Sequence, residues 1–253
     1  MAVRVLLIVL TIASLSLTAV AGDWRQFRGP NGSGVCDDAA LPAKIGPEQN
    51  LVWKVSLPPG HSSPVLVENR IYLTAVRDKQ LLTIALDREN GSTLWEVKAP
   101  HKTLEKIHTI GSHAQSSAVA DHDVVLSFFG STGLHCYDRE GKLLWQKPFG
   151  PFPNDFGAGS SPILAGDVVI LNQDHDNNSF LMALEKKTGK VIWKSDRSEF
   201  PRGYATPVLW EVDGKKQIVV LGTLRAVGYD FATGKELWTV RGLARIANMS
   251  PVV

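Results

Sequence analysis

One short pattern occurs four times in this chain and limits what the chain can fold into. The copies read ALDRENGSTLW at 85–95, CYDREGKLLW at 136–145, ALEKKTGKVIW at 183–193 and GYDFATGKELW at 228–238. Their final tryptophans lie at 95, 145, 193 and 238, in steps of 50, 48 and 45 residues. A unit that recurs at such a spacing is the signature of a repeat protein, in which each unit buries its surface against its neighbours.

A second mark recurs once in every unit, ahead of the pattern. It reads SSPVL at 62, SSAVA at 116, SSPIL at 160, ATPVL at 205 and MSPVV at 249. Between mark and pattern, short runs rich in β-branched residues alternate with turn residues, and each unit divides into four strands. No segment after the first 22 residues has a helical period. The sequence therefore predicts an all-β fold, a β-propeller of four-stranded antiparallel blades.

Within the pattern, three positions are predicted to join one blade to the next. The glycine permits positive φ in the hairpin between the third and outermost strands. The tryptophan is predicted to lie between blades with its N–H on a backbone acceptor, and the small first residue to leave room for a neighbouring blade's indole. These docking residues are Ala85, Gly91 and Trp95, then Gly141 and Trp145, then Ala183, Gly189 and Trp193, and finally Gly228, Gly234 and Trp238.

The pattern resembles the tryptophan-docking motif of the pyrroloquinoline-quinone-like (PQQ-like) β-propeller repeats, Ala-x-Asp-x-x-Thr-Gly-x-x-x-Trp. That family includes quinoprotein alcohol dehydrogenases and the outer-membrane assembly factor of the β-barrel assembly machinery. The resemblance covers about residues 50–253. The segment DWRQFRGPNGSGV at 23–35 is also similar to the start of secreted PQQ-like proteins of planctomycete-type bacteria.

Family members close their ring at seven or eight blades, whereas this chain holds four complete units and ends with MSPVV, the mark that opens a fifth unit. NLVWKVSLPPG at 50–60, with Trp53, looks like the outermost strand of a preceding blade. We therefore expect a truncated, open ring of about four to five blades over residues 50–253. A closed ring of four blades is the alternative.

The first residues predict export from the cytoplasm. A basic start, the apolar run VLLIVLTIASLSL and the small residues AVAG are typical of a signal peptide over residues 1–21, followed by an extended segment over 22–49. An uncleaved membrane anchor is the alternative, although the apolar run is short for a span of about 20 residues. We expect a secreted or periplasmic protein with no stable membrane insertion after cleavage.

Charge and cysteine content exclude several other classes. The net charge is +2 and the basic residues are scattered, so no nucleic-acid partner is expected. Cys36 and Cys136 lack the spacing of a zinc site, and a disulfide between them is permitted but not indicated.

Candidate binding residues lie on the loops that connect one blade to the next, at one end of the predicted channel. They are His108, His113, Asp155, Arg202 and Arg245. Arginine suits anionic groups, and a protein partner or a small ligand is expected on these loops. Alternatively, the loops are merely solvated.

A weak calcium candidate consists of Asp174, Asp176, Asn178 and Glu185, which fall at positions 1, 3, 5 and 12 of a calcium-loop pattern. Ser179 replaces the required glycine and no helices flank the loop, so a polar hairpin turn is the simpler interpretation and no metal site is assigned.

The sequence favours a non-catalytic, exported scaffold that binds a protein or a ligand, without a cofactor. The alternative, implied by the resemblance, is a fragment of a PQQ-dependent alcohol dehydrogenase that uses PQQ and calcium. The chain lacks the adjacent cysteines that many such enzymes place over the quinone.

Overall fold

The computed structural model describes residues 22–36, 42–151 and 153–253. The predicted signal peptide lies outside the described residues. In the part described, regular structure is β, apart from short 3-10 turns at Pro30–Gly32 and Gly130–Thr132. No helix of this part is long and apolar enough to cross a bilayer.

The strands form four separate four-stranded sheets, each an antiparallel meander in chain order. The predicted four-stranded blades are thereby confirmed. Blade 1 consists of β1 (Val65–Val67), β2 (Arg70–Arg77), β3 (Gln80–Asp87) and β4 (Thr93–Lys98), and blade 2 of β5 (Val119–Ala120), β6 (Val124–Phe128), β7 (Leu134–Asp138) and β8 (Leu143–Lys147). Blade 3 consists of β9 (Ile163–Ala165), β10 (Val168–Gln173), β11 (Phe180–Glu185) and β12 (Val191–Asp196), and blade 4 of β13 (Val208–Val212), β14 (Lys215–Gly222), β15 (Arg225–Asp230) and β16 (Glu236–Arg241).

The hydrophobic core is divided among the interfaces between blades. Between blades 2 and 3, Leu126 and Cys136 pack with Met182 and Leu184. The interfaces of blade 1 with blade 2 and of blade 3 with blade 4 each hold a cluster of the same kind. In blades 2 and 3, which have a neighbour on each face, the second and third strands are buried along almost their whole length, whereas their outermost strands alternate between covered and exposed positions.

Each of four tryptophans reaches into the hairpin between the third and fourth strands of the following blade. The indole N–H of Trp95 donates to the carbonyl of Arg139 (2.6 Å), and that of Trp145 to the carbonyl of Lys186 (2.9 Å). Trp193 donates in the same way to Phe231 (3.1 Å). In blade 1 the hairpin carbonyl of Arg88 accepts the N–H of Trp53 (2.9 Å), which lies ahead of the first blade.

The small first residue of the pattern has a different role from the one expected. Ala85 lies directly across the strand pair from Trp95 of its own blade, and Gly228 likewise faces Trp238. The indole that needs the space is therefore that of the same blade, which lies over the third strand. Room for the neighbouring indole comes from the hairpin glycine, since a methyl group at Gly141 would lie only 2.8 Å from Cδ2 of Trp95.

The five marks, which precede or follow the blades, form a hydrogen-bonded ladder across them. In each rung, the side-chain hydroxyl at the second position of a mark accepts the backbone N–H of the corresponding residue in the preceding mark. The rungs run from Ser63 to Ser117, Ser117 to Ser161, Ser161 to Thr206 and Thr206 to Ser250, at 2.9 to 3.0 Å. The hydroxyls thus satisfy backbone groups at the start of the innermost strands, which a short first strand would leave unpaired.

The arc of blades is open between blades 4 and 1. The hairpin of blade 1 that could receive Trp238 already holds Trp53, and Trp238 donates instead to Gln217 of its own blade (2.7 Å). The outer face of blade 4 is exposed, with Val240 at 58% and Trp210 at 37%. The closed four-bladed ring is therefore not the arrangement of this chain.

The two cysteines are both free, Cys36 exposed and Cys136 buried. Burial raises the pKa of the Cys136 thiol to about 12, which keeps it protonated and unreactive in the core between blades 2 and 3.

Candidate functional site

The first strands of adjacent blades lie beside one another, β1 next to β5 and β5 next to β9, so they line the axis of the arc. Residues 22–36, here called the strap, run across these strands. Trp24 pairs with Leu66 of β1 through two backbone hydrogen bonds of 2.8 Å, and the carbonyl of Arg25 accepts the N–H of Ala120 (2.9 Å). At its other end, Asn31 donates to the carbonyl of Leu209 in β13 (2.8 Å). The strap therefore ties blades 1, 2 and 4 together at the axis.

Local interactions give the strap its turned shape. The Arg28 guanidinium donates to the carbonyl of Gly32 (3.0 Å), and Pro30 begins the 3-10 turn with its fixed φ. Gly29 adopts φ 68° and ψ −145°, a combination open to glycine, with the Trp24 indole covering its Cα. The turn directs Phe27 toward the cavity described next.

A cleft of about 540 Å³ lies at the axis, and we call it the axial cleft. Its walls come from the segments that precede the first strands, which all meet at one end of the arc, the loop face. The lining residues are Phe27, His61, Ile110, Gly111, Gln115, Phe156, Gly159, Tyr204, Ile246 and Asn248. The cleft thus joins residues from the strap and from the segments around all four blades.

Among the described residues, the lining of the axial cleft is mostly apolar, with three aromatic rings and a few polar side chains but no arginine, lysine, aspartate or glutamate. Phe27, Phe156 and Tyr204 supply the rings. The hydrogen-bonding groups belong to His61, Gln115, Asn248 and the same Tyr204. Burial raises the pKa of the Tyr204 phenol, so its hydroxyl remains both a donor and an acceptor. The Gln115 amide donates to the carbonyl of Phe156 (2.6 Å), which holds neighbouring walls together.

Three of the five predicted binding residues come together beside the axial cleft. Arg202 pairs with Asp155 (2.9 Å) and with Asp176 (2.7 Å). The N–H of His108 donates to the carbonyl of Asp155, and the His108 ring packs on Phe156 with centroids 5.4 Å apart. The carboxylate of Asp176, hydrogen-bonded to the guanidinium, raises the pKa of Arg202. This arginine is therefore engaged by carboxylates of its own chain.

The other two predicted residues are not part of this group. The His113 ring is hydrogen-bonded to the carbonyl of Glu105 (2.8 Å), within its own loop. Arg245 is exposed in the segment that follows β16. The five residues therefore share one face of the arc without forming a single site.

The calcium candidate is not assembled. Asp174 is fully buried in a two-point ion pair with Arg197 (2.7 Å for each contact), and Asp176 is held by Arg202. Glu185 lies at the opposite end of β11 from Asn178, where it accepts a hydrogen bond from Thr188. Among the described residues, no group of three His, Cys, Asp or Glu side chains is placed to hold a metal ion.

A second cavity, of about 620 Å³, opens on the same face between blades 2 and 3. Phe149 and Phe180 form its apolar wall, with ring centroids 5.3 Å apart, and Lys194 and Asp196 lie on its rim. His175 is buried beneath it, and burial lowers its pKa to about 4, so its imidazole is neutral at pH 7.

Sequence reasoning missed the residues that line the axial cleft. It selected charged residues and histidines of the inter-blade loops, whereas the structure places Phe156 and Tyr204 at the cleft, next to Asp155 and close to Arg202 in sequence. Aromatic residues in exposed loops were the available signal. Phe27 had none, because the position of the strap depends on contacts with blades far along the chain.

Comparisons with known proteins agree with this architecture. A family model described as outer membrane protein assembly factor BamB matches residues 47–155 and 85–249. No curated protein matches this sequence significantly.

Solved structures match at the level of the fold. A quinohemoprotein alcohol dehydrogenase from Pseudomonas putida HK5 superposes with a TM-score of 0.54 and 14% identity, covering 76% of this chain and 36% of that one. BamB from Moraxella catarrhalis superposes with a TM-score of 0.52 and 17% identity, covering 76% of this chain and 53% of that one. A quinohemoprotein alcohol dehydrogenase from Comamonas testosteroni superposes with a TM-score of 0.52 and 13% identity, covering 73% of this chain and 35% of that one. This chain therefore spans between about a third and a half of these structures.

Proposed function

We propose, on the premise that this chain belongs to the PQQ-like β-propeller repeat family, that it is a non-catalytic scaffold which binds a partner protein or a ligand in the axial cleft. We place it outside the cytoplasm, as the first 21 residues suggest. The single observation that carries the proposal is the cleft itself, to which the strap and the segments around every blade contribute. A concave, mostly apolar site with a few convergent polar groups is the usual form of a binding site.

The relatives divide into an assembly factor and dehydrogenases, and the residues of the cleft separate the two possibilities. PQQ is an ortho-quinone with three carboxylates, which call for arginine or lysine partners and a calcium site. None of the described residues that line the axial cleft is an arginine, lysine, aspartate or glutamate. The nearby Arg202 is already paired with Asp155 and Asp176. The described residues that line the axial cleft therefore do not fit this cofactor, which favours the binding role.

A site-specific crosslinking experiment tests the proposal. A photoreactive amino acid at Ile110, which lines the cleft and is 69% exposed, should capture a bound molecule in the cell that produces the protein. The matched control carries the same group at Leu144, which is 47% exposed on the outermost strand of blade 2. We expect a defined adduct from position 110 that disappears when Phe156→Ala is added.

Identical adducts from both positions would contradict the proposal. Titration of the purified protein with PQQ and calcium provides the second arm. A stoichiometric change in the quinone absorbance would favour the dehydrogenase alternative, and we expect none.

A further inference from the structure

We propose that the ligand of the axial cleft is an uncharged carbohydrate, a short oligosaccharide seated against its aromatic rings. This inference rests on the function proposed above, which it makes more specific. The proposal is based on one cavity that combines aromatic rings with side chains able to donate or accept hydrogen bonds.

The aromatic rings supply the apolar half of the recognition. Phe27, Phe156 and Tyr204 come from the strap and from two different inter-blade loops, and all three line the cleft. The face of an aromatic ring carries partial negative charge, and the C–H groups of a sugar ring carry partial positive charge. Half-buried rings that line a cleft together with polar side chains are therefore suited to the faces of sugars.

The polar half of the recognition comes from side chains that match hydroxyl groups. The amide of Asn248 and the imidazole of His61 carry both kinds of hydrogen-bonding group. The Gln115 amide keeps its oxygen and a second N–H beside its bond to Phe156, and the Tyr204 hydroxyl, which donates to Asn154 (3.4 Å), keeps its oxygen as an acceptor. A sugar hydroxyl has the same dual character. None of the described lining residues is an arginine, lysine, aspartate or glutamate, so a charged ligand would have no counter-ion among them, which favours a neutral sugar over an acidic one.

The backbone around the axis is already occupied, and this disfavours an extended peptide. The N–H groups of Ser63, Ser117, Ser161 and Thr206 are used by the hydroxyl ladder. Leu66 and Ala120 are used by the strap. A peptide that added a strand here would find these groups paired, so side chains must carry the recognition.

The dimensions of the cleft agree with this ligand class. Its volume of about 540 Å³ lies within the range of roughly 300–1,000 Å³ that is usual for small-molecule sites. The cleft is open at the loop face, where Ile110 is 69% and Ile246 is 40% exposed. A longer chain could therefore extend out of the cleft.

The test is a titration of the whole protein, labelled with nitrogen-15, with neutral trisaccharides of glucose and of N-acetylglucosamine. A trigalacturonate and an apolar heptapeptide serve as the acidic and peptide comparisons. We expect a neutral trisaccharide to shift the amide signals of the cleft residues, and the acidic sugar to bind at least tenfold more weakly.

Three variants locate the binding. Phe156→Ala should weaken the binding of the neutral sugar about tenfold, the worth of an aromatic contact. Tyr204→Phe, which keeps the ring, should weaken it about fivefold through the lost hydrogen bond. Trp210→Ala removes an aromatic side chain that is 37% exposed outside the cleft, and it should leave the affinity unchanged.

The remaining outcomes overturn the inference. If the peptide binds at the cleft and no sugar does, the carbohydrate proposal is wrong, but the proposed scaffold function still stands. The carbohydrate proposal is also wrong if no sugar binds at millimolar concentration. It is wrong as well if a sugar binds equally well to the Phe156→Ala and Tyr204→Phe variants, because the binding site would then lie outside the axial cleft. The crosslinking experiment at Ile110 then decides the scaffold function separately.

Discussion

The indole of Trp145 in blade 2 lies over Gly189 in blade 3, so closely that a methyl group at Gly189 would come within 2.6 Å of Cε3. The same tryptophan donates its N–H to Lys186 in the same hairpin (2.9 Å). Gly189 also adopts φ +68°, which other residues adopt only with strain. One residue therefore satisfies two demands, a left-handed turn and a flat surface for a neighbouring ring.

The two demands can be separated by mutation. Gly189→Ala should lower the free energy of unfolding by about 3 kcal/mol, through backbone strain and displacement of the indole. Gly214→Ala is the matched control, because Gly214 adopts φ +70° and, apart from its chain neighbours, no described atom lies within 4 Å of the position that a Cβ would take. It should cost only the strain, about 1 kcal/mol. Denaturant unfolding measures both, and equal losses would show that the indole contact contributes nothing.

The hydroxyl ladder makes a second prediction. Thr206→Val keeps the shape of the side chain but leaves the buried N–H of Ser161 without its acceptor. We expect a loss of about 1 to 3 kcal/mol in unfolding free energy, the cost of an unsatisfied buried group. Thr206→Ser retains the hydroxyl and should retain most of the stability. A valine variant as stable as the wild type would show that the ladder does not stabilise the fold.

The repeat was predictable from the sequence because each blade carries its own copy of the signals. The five-residue hairpin loop ahead of Trp193 (186–190) and the hydroxyl residue at the second position of each mark recur at similar spacing. Both make contacts with a neighbouring blade that carries the same signals. The role of Ala85 was mistaken because its spacing from Trp95 fits either an indole of the same blade or one of the next. Cross-strand register, which places Ala85 opposite Trp95, distinguishes the two.

The site was less predictable for a physical reason. The loops that line the axial cleft differ between blades, so no repetition marks their functional positions. Arg202 and Asp155 were selected as binding residues, and they pair with each other in the structure. Phe27 enters the cleft only because the strap is tied to Leu66 and Leu209, contacts that no local pattern in the sequence reveals.

The buried pair of Asp174 and Arg197 gives a third prediction. Both side chains are fully buried, and the guanidinium also packs on the ring of Phe200 at 4.1 Å. Arg197→Met should cost about 3 to 5 kcal/mol, because it leaves a buried carboxylate without a partner. The double variant Arg197→Met with Asp174→Leu should recover most of that loss. A double-mutant cycle measures the coupling, and simple additivity of the two losses would contradict this interpretation.

Protonation of a buried histidine gives a fourth prediction. His135 is 1% exposed, and burial lowers its pKa from 6.5 to about 4. The unfolded chain therefore takes up the proton first, and the folded state loses stability as the pH falls from 6.5 to 4. The loss approaches about 3 kcal/mol for a shift of this size. Unfolding free energies at pH 7, 5.5 and 4.5 measure the slope.

His135→Phe should flatten that slope by about one proton, because a phenyl ring fills the site while the titrating imidazole is removed. The control, His108→Asn, removes a histidine that is exposed and lies outside the core, in place of the buried His135. A His135→Phe protein with an unchanged slope would show that the dependence arises elsewhere. Part of the remaining slope is expected from His175, whose pKa burial also lowers to about 4.

Hydrogen exchange of the indole N–H protons, followed by nuclear magnetic resonance, tests most directly whether neighbouring blades are joined through their tryptophans. Trp53, Trp95, Trp145 and Trp193 each donate to a backbone carbonyl in a blade hairpin. We predict that these four N–H protons exchange slowly, and that the N–H of the half-exposed Trp210 exchanges quickly. Exchange of Trp95, Trp145 and Trp193 as fast as that of Trp210 would contradict the stacking of blades on which the axial cleft depends.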